Sequence, residues 1–429
     1  MNNNRSTYKW MFGAIFIVAL VLQGLRWSSA ILDKGPIFDE QYITIPINNL
    51  IEVGWTVETA IDFQETKGPA MIWPYAIIGE WFGGSLNDLR LVSVWFSILS
   101  IGILIWIAVR CKLHRGSLIL VAVGWLLLPY NIIFSEIVMG ESSFLFLSLL
   151  CVAIFIWSFG DAADFPKRTI APLLYCIVLA IALHSRIHVV ALAGGICIAA
   201  WSLQGRRSWP WWLASIAAGM LRIPLWQRWG GLVSPEYQSL HGLGFRIESL
   251  SYLAAALVPF VGVFAIEAWR IGKTRTSLIV SFIVGFALCM VAMPDLSVPQ
   301  FIDFTHESDR FQGIAATLTK AISDHPIAQQ VVLSLLSGLG LTGLAGLWNC
   351  RKERNSTLDL LIIDVCYWSL TLGWLLYALT RGFVFDRFIL IWAFLLPIVW
   401  IRILPMKLLI AQYILLSLIA VRLIGLWLM

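Results

Sequence analysis

Residues 91–109 read LVSVWFSILSIGILIWIAV, nineteen positions without a charge, closed by the basic turn Arg110-Cys111-Lys112-Leu113-His114-Arg115. At about 1.5 Å rise per residue this run makes a helix roughly 28 Å long, close to the thickness of a bilayer's hydrocarbon core. The apolar residues are continuous, not alternating, so every backbone polar group is satisfied inside the segment and a transmembrane β-barrel is excluded. Residues 11–25 form another uncharged run, and 406–428 a long apolar one interrupted by charge only at Lys407 and Arg422. Over all 429 residues, 59% are hydrophobic and only 13% charged, with a mean hydropathy of +0.82, far from the mix of a water-soluble domain. The expected fold is an all-α polytopic membrane protein.

Breaks at charged and Pro/Gly-rich points divide the chain into about thirteen spans. They fall near residues 10–27, 91–109, 117–134, 142–159, 170–184, 187–203, 209–225, 250–269, 277–293, 328–348, 358–379, 387–403 and 406–428. With a cytoplasmic N terminus, the short basic connections at 110–115, 167–168, 206–207, 270–275, 351–354 and 402–407 all fall on the cytoplasmic side, as the positive-inside rule requires. The longer loops 28–90, 226–249 and 294–329 then face outward, and function is sought there. The first is broken by Pro36, Pro46, Pro69 and Pro74 and reads as short helices lying on or dipping into the interface.

The formal charge of +5 says little in such a chain, because topology places the basic residues. No Lys/Arg block interleaved with aromatics points to nucleic acid, and the 22 Trp gather near span ends as interfacial anchors do. The seven Cys include no CxxC pair, so neither a disulfide nor a zinc framework is expected. The first apolar run follows Arg5 and Lys9 and ends near Ser28-Ser29-Ala30; Arg26 and Trp27 interrupt the small-residue pattern of a cleavage site, so it reads as an uncleaved anchor.

Chemistry-bearing residues begin after that run, in Gly35-Pro36-Ile37-Phe38-Asp39-Glu40-Gln41-Tyr42. Pro36 suits the first turn of a helix, which puts Asp39 and Glu40 near its N-terminal end. Two carboxylates at a membrane surface can take a proton or hold a cation; the alternative is a capped, solvated helix start. Further on come Glu65-Thr66-Lys67-Gly68-Pro69, Phe82-Gly83-Gly84 and Leu89-Arg90-Leu91-Val92-Ser93, then Leu128-Pro129, Ser135 and Glu141.

This order resembles the GT-C superfamily of polytopic glycosyltransferases, in particular the branch with the lipid A aminoarabinose transferase and the protein O-mannosyltransferases. That pattern has an Asp-Glu pair with a nearby Tyr, a Lys-Pro-Pro-Leu-like turn, a Phe-Gly, an Arg-Leu-x-Ser and a second acidic loop. Asp386-Arg387-Phe388 running into Leu396-Pro397 is similar to the Arg-Tyr and Pro pattern before the family's last core spans. The match is good over residues 30–160 and looser beyond. Gly68 stands where the family often has Pro, and Glu141 where it often has Asp.

The resemblance implies transfer of a sugar from a polyprenyl-phosphate carrier to a glycolipid, polysaccharide or protein acceptor, at the outer face of a bacterial-type inner membrane. It implies a catalytic core over residues 1–225 that includes loop 28–90, and a C-terminal transmembrane region over 226–429. Asp39, Glu40 and Glu141 become the candidate catalytic carboxylates, with Asp39 as base, and Lys67, Arg186 and Arg387 the candidate phosphate partners. A divalent metal ion held by Asp39, Glu40 and Glu141 is left open. Each residue has a plainer reading: Lys67 snorkels from an interfacial helix, Arg186 caps a hairpin, and Glu141 suits the positive end of a helix dipole.

His184 and His188 have i, i+4 spacing but no intervening Glu of an HExxH motif, so structural histidines are expected. His306-Glu307-Ser308-Asp309 reads as a solvated loop, and Trp209-Pro210-Trp211-Trp212 as interfacial belt. A secondary transporter is the main rival, and a lipid flippase a further one. Transporters show paired repeats and midplane charges, whereas Glu80, Arg222, Asp359, Asp364 and Arg422 are scattered near expected span ends. A flippase needs a polar route, and the spans offer no sustained one.

Overall fold

The computed structural model describes residues 35–37, 39–62, 67–159, 165–235, 238, 243–272, 275–296, 311–351, 356–380 and 384–427. The expected first span at 10–27, the Glu65-Thr66 pair and His306-Glu307-Ser308-Asp309 lie outside them. The described chain is all-α apart from a pair of parallel two-residue strands, β1 (Phe311–Gln312) and β2 (Val384–Phe385).

Among the described residues, five helical stretches are long and apolar enough to cross a membrane: Leu86–Arg110, Ile187–Trp229, Pro326–Arg351, Thr357–Tyr377 and Met406–Leu423. Ile187–Trp229 is not one rod, since Cys197 Sγ lies 3.6 Å from the Trp211 carbonyl oxygen and 3.3 Å from Ser215 Oγ. Residues 14 and 18 apart would lie roughly 21 and 27 Å from each other along a straight helix. The chain therefore reverses at the 3-10 turn Gly205–Ser208, where the sequence places Arg206 and Arg207.

Four further expected spans are shorter helices, Arg115–Leu127, Glu141–Trp157, Thr169–Ser185 and Arg275–Val291, whereas the one expected at 387–403 is broken into a 3-10 turn, Asp386–Ile389, and the short helices Leu390–Ala393 and Leu396–Ile403. The run expected at 117–134 stops at Leu128 because the next residue is proline, which disfavours helical backbone before it. The span expected at 250–269 is two helices, Ile247–Ala256 and Val258–Ile271, bent by 70°. Pro259, which has no N–H to donate, opens the second of them.

By compactness the chain forms two units. One comprises the chain through Ile187 with Ile216–Arg222 and the segment from Ser417; the other comprises His188–Ser215 and Ile223–Leu416. The sequence division at 225/226 follows expected spans, and this one follows packing.

The first unit contains α1 (Glu40–Val53), α2 (Pro69–Phe82), α3 (Leu86–Arg110), α4 (Arg115–Leu127), α5 (Glu141–Trp157) and α6 (Phe165–Ser185). Helix α1 starts at Glu40 with Asp39 as its N-cap, later than Pro36 suggests. Helix α3 starts five residues before the uncharged run because Ser85 and Asp88 form a capping box. It packs on α2 and α5, and α5 packs on α6. Ile45 and Val53 of α1 and Trp81 and Phe82 of α2 are exposed, apolar surface that suits a membrane interface.

The second unit contains α7 (Val190–Gln204), α8 (Ile247–Ala256), α9 (Val258–Ile271), α10 (Arg275–Val291), α11 (Pro326–Arg351) and α12 (Thr357–Tyr377). Helix α11 lies against α8, α9 and α10. A Cβ on Gly343 or Gly346 would come within 2.5 Å of the Val261 or Phe264 carbonyl oxygen, so only glycine allows backbones this close.

Candidate functional site

The first unit holds five of the six residues that the sequence singles out. Glu40 is fully buried at the start of α1 and faces Arg90, equally buried in the first turns of α3. Arg90 Nε donates to Glu40 Oε1 at 3.0 Å and Nη2 to Oε2 at 2.6 Å, a forked pair. The Ile37 N–H adds 2.7 Å to Oε2, and the Val138 N–H 2.8 Å to Oε1. A carboxylate offers about four acceptor sites, and all of those on Glu40 are taken. Its neighbour Asp39 is half-buried; its carbonyl oxygen accepts the N–H groups of Tyr42 and Ile43 at 3.0 and 3.1 Å, which starts the helix.

Lys67 and Arg186 come together through the residues beside them. The Gly68 N–H donates to the Ser185 carbonyl oxygen at 2.8 Å, and a Cβ on Gly68 would run into the His184 carbonyl. Glycine at 68 therefore lets the start of α2 lie flat on the end of α6, with Lys67 and Arg186 flanking the contact. Both side chains are buried.

Arg186 Nη2 donates to Glu141 Oε1 at 2.6 Å at the N terminus of α5. Glu141 Oε2 and Arg186 Nε are buried with no hydrogen-bond partner among the described residues. Buried ion pairs are retained at a desolvation cost, which further hydrogen bonds reduce. Here one site on each partner is left unused among the described residues.

Tyr75 and Ser93 link the same elements. Their hydroxyls are 2.8 Å apart, and Ser93 Oγ donates to the Ile137 carbonyl oxygen at 2.7 Å. Burial, with the Glu141 charge nearby as a smaller cause, pushes the Tyr75 phenol above its ordinary value. Glu136, which the sequence reading did not single out, is buried in this loop; only its place between Ser135 and Glu141 could have drawn attention to it.

Arg387 lies in the second unit, in a 3-10 turn after β2. Its guanidinium sits 4.4 Å over the Phe385 ring and 5.6 Å from that of Phe388, arrangements favourable for a cation. Asp386 accepts the Ala315 N–H at 3.2 Å, and β1 pairs with β2, so the turn is tied to residues 311–315. Two of the charges weighed for transport are in ion pairs within this unit: Asp364 with Arg351 and the Ser202 hydroxyl, and Asp359 with Arg402 at 3.0 Å.

His184 Nδ1 is 2.8 Å from the Ala180 carbonyl oxygen, and His188 stacks on Tyr377 and Phe388 at 5.4 and 5.3 Å. Among the described residues no three His, Cys, Asp or Glu side chains are grouped to hold a metal ion.

No protein-family model matches the sequence, and no curated protein is similar to it. Two solved structures are similar, both of ArnT from Cupriavidus metallidurans. The apo form is 14% identical over 93% of this chain and 78% of that chain, with a TM-score of 0.45. The form bound to undecaprenyl phosphate is 12% identical over 94% of this chain and 77% of that chain, also with a TM-score of 0.45. A TM-score below 0.5 leaves the functional reading to rest on the site itself.

Proposed function

We propose that this chain is a GT-C-like membrane glycosyltransferase that moves a sugar from a polyprenyl-phosphate carrier to an acceptor at the outer face of a bacterial-type inner membrane. The observation that carries the reading is the contact of Gly68 with Ser185, which sets the buried cations Lys67 and Arg186 on either side of one backbone junction. A phosphate that leaves a sugar develops charge, and preorganised cations away from water stabilise it far better than they would in water. Arg186 also keeps a buried N–H that no described residue uses, a donor for a phosphate oxygen.

In this reading Asp39 takes the acceptor's proton, Lys67 and Arg186 hold the donor phosphate, and Arg387 is a third phosphate partner. Glu40 and Glu141 belong to the site as anchors of arginines. Residues 1–225 carry the catalysis, and the loops around 226–249 and 294–329 choose a glycolipid, polysaccharide or protein acceptor. The breaks in the sequence put the number of crossings at about thirteen.

The donor is lipid-linked because a nucleotide sugar is normally held by a soluble α/β domain, and no expected cytoplasmic connection is long enough to build one. A polyprenyl tail can lie along the spans while its phosphate reaches the cations. The test is transfer by purified protein with a membrane extract as acceptor source. Product is expected from a labelled polyprenyl-monophosphate sugar and none from a nucleotide sugar alone; transfer from the nucleotide sugar without a lipid carrier would defeat the reading, and counterflow without product would favour transport.

A further inference from the structure

We propose that Arg90 is a positioning residue for the transfer reaction: by gripping Glu40 it holds the adjacent Asp39 and the start of α1 in place against the loop between α4 and α5. The proposal rests on the reading of Asp39 as the base. Arg90 meets the chain on both sides of Asp39. Downstream its fork engages Glu40 at 3.0 and 2.6 Å, and upstream its Nη2 donates to the Gly35 carbonyl oxygen at 2.9 Å. Glu40 reaches upstream as well, to the Ile37 N–H at 2.7 Å, and across to the Val138 N–H at 2.8 Å. Asp39 is thus bracketed by four bonds that converge on one buried ion pair, while it remains half-exposed itself.

The frame is rigid. Arg90 stands in the first turns of the 25-residue helix α3, behind the capping box of Ser85 and Asp88. Sites built on such elements keep their geometry better than sites on loops. An ion pair with no exposure is a costly way to stabilise a fold, since apolar residues of similar volume often do as well. What apolar residues cannot supply is the fixed direction of five hydrogen bonds. The arrangement is also one-sided. The Val138 N–H requires an acceptor and the Gly35 carbonyl a donor, so exchanging the two side chains would restore the charge balance but not the bonding.

The experiment compares wild type with Arg90→Lys, which keeps the charge and loses the fork. Initial rates with a polyprenyl-monophosphate sugar give kcat and KM, and maleimide labelling of an Asp39→Cys variant, with and without Arg90→Lys, reports the position of residue 39. Wild-type protein serves as the labelling blank. Displacement of a catalytic group by about 1 Å can cost on the order of a hundredfold, so kcat is expected to fall by roughly tenfold to a hundredfold. KM should stay within about twofold, and labelling should accelerate severalfold. Glu40→Gln provides the same comparison if the lysine variant does not accumulate, and the exchanged pair Glu40→Arg with Arg90→Glu should not recover activity. Unchanged labelling overturns the proposal whatever happens to the rate, and so does full recovery in the exchanged pair. Full turnover in Asp39→Asn would remove the base assignment alone, because labelling still decides whether Arg90 holds that segment.

Discussion

Glu141 and Arg186, 45 positions apart in the chain, meet at 2.6 Å with side chains only 4% and 6% exposed, so the start of α5 and the end of α6 share one buried ion pair. Removing one partner strands the other charge, at a cost of roughly 3–5 kcal/mol, whereas removing both strands nothing. Glu141→Ala and Arg186→Ala should each lower the thermal midpoint in detergent, and the double variant should lose clearly less than the sum. Strict additivity in that cycle would show that the pair is not coupled.

The Gly68 contact makes a sharp packing test. Gly68→Ala puts a methyl against the His184 carbonyl and should cost about 1–3 kcal/mol, seen as a lower midpoint and weaker donor binding. Gly102→Ala, with nothing within 4 Å of the new atom, is the control and should be neutral or stabilising. Equal behaviour of the two variants would mean that α2 does not lie on α6 as described.

Asp39→Asn should leave the protein in the membrane at normal abundance and remove most activity, because a general base typically contributes about a hundredfold to ten-thousandfold. Near wild-type turnover would take Asp39 out of that role.

Lys67→Ala should weaken donor binding or slow loss of the phosphate, and Lys67→Arg should be partly tolerated because the charge persists. If affinity and rate are unchanged in the alanine variant, Lys67 only snorkels.

Topology can be read with single cysteines. Reagents that do not cross the membrane should label Ala60→Cys and Gln238→Cys from outside, and should reach Lys112→Cys and Arg206→Cys only after permeabilisation. Labelling of residue 60 from the cytoplasmic side would overturn the whole functional orientation.

Much of the helical framework is legible along the chain, because each apolar run satisfies its own backbone and needs no distant partner. The run at 91–109 lies within Leu86–Arg110, and even its early start is written locally in Ser85 and Asp88. Failures occur where local pattern and packing part company. The bend at Leu257 cuts the run expected at 250–269, and the 3-10 turn Asp386–Ile389 breaks into the start of the one expected at 387–403, whereas the hairpin at Gly205–Ser208 falls at the break expected between 187–203 and 209–225. Around the site, the clustering of Asp39, Glu40 and Lys67 in one loop was visible, while the burial of Glu136 was not.

By itself the sequence determined a chain of apolar helices with its charges gathered between them, since hydrocarbon allows only segments that bond internally. Which carboxylate is buried in an ion pair was decided only by the tertiary structure. Glu40 and Asp39 are neighbours of equal charge, and no local spacing separates them. Arg90 reaches Glu40 across 50 positions and Arg186 reaches Glu141 across 45, distances at which folding alone brings groups together. Beside them Asp39 stays half-exposed, while each carboxylate that is buried in an ion pair is bonded to its arginine, because a buried charge must be bonded.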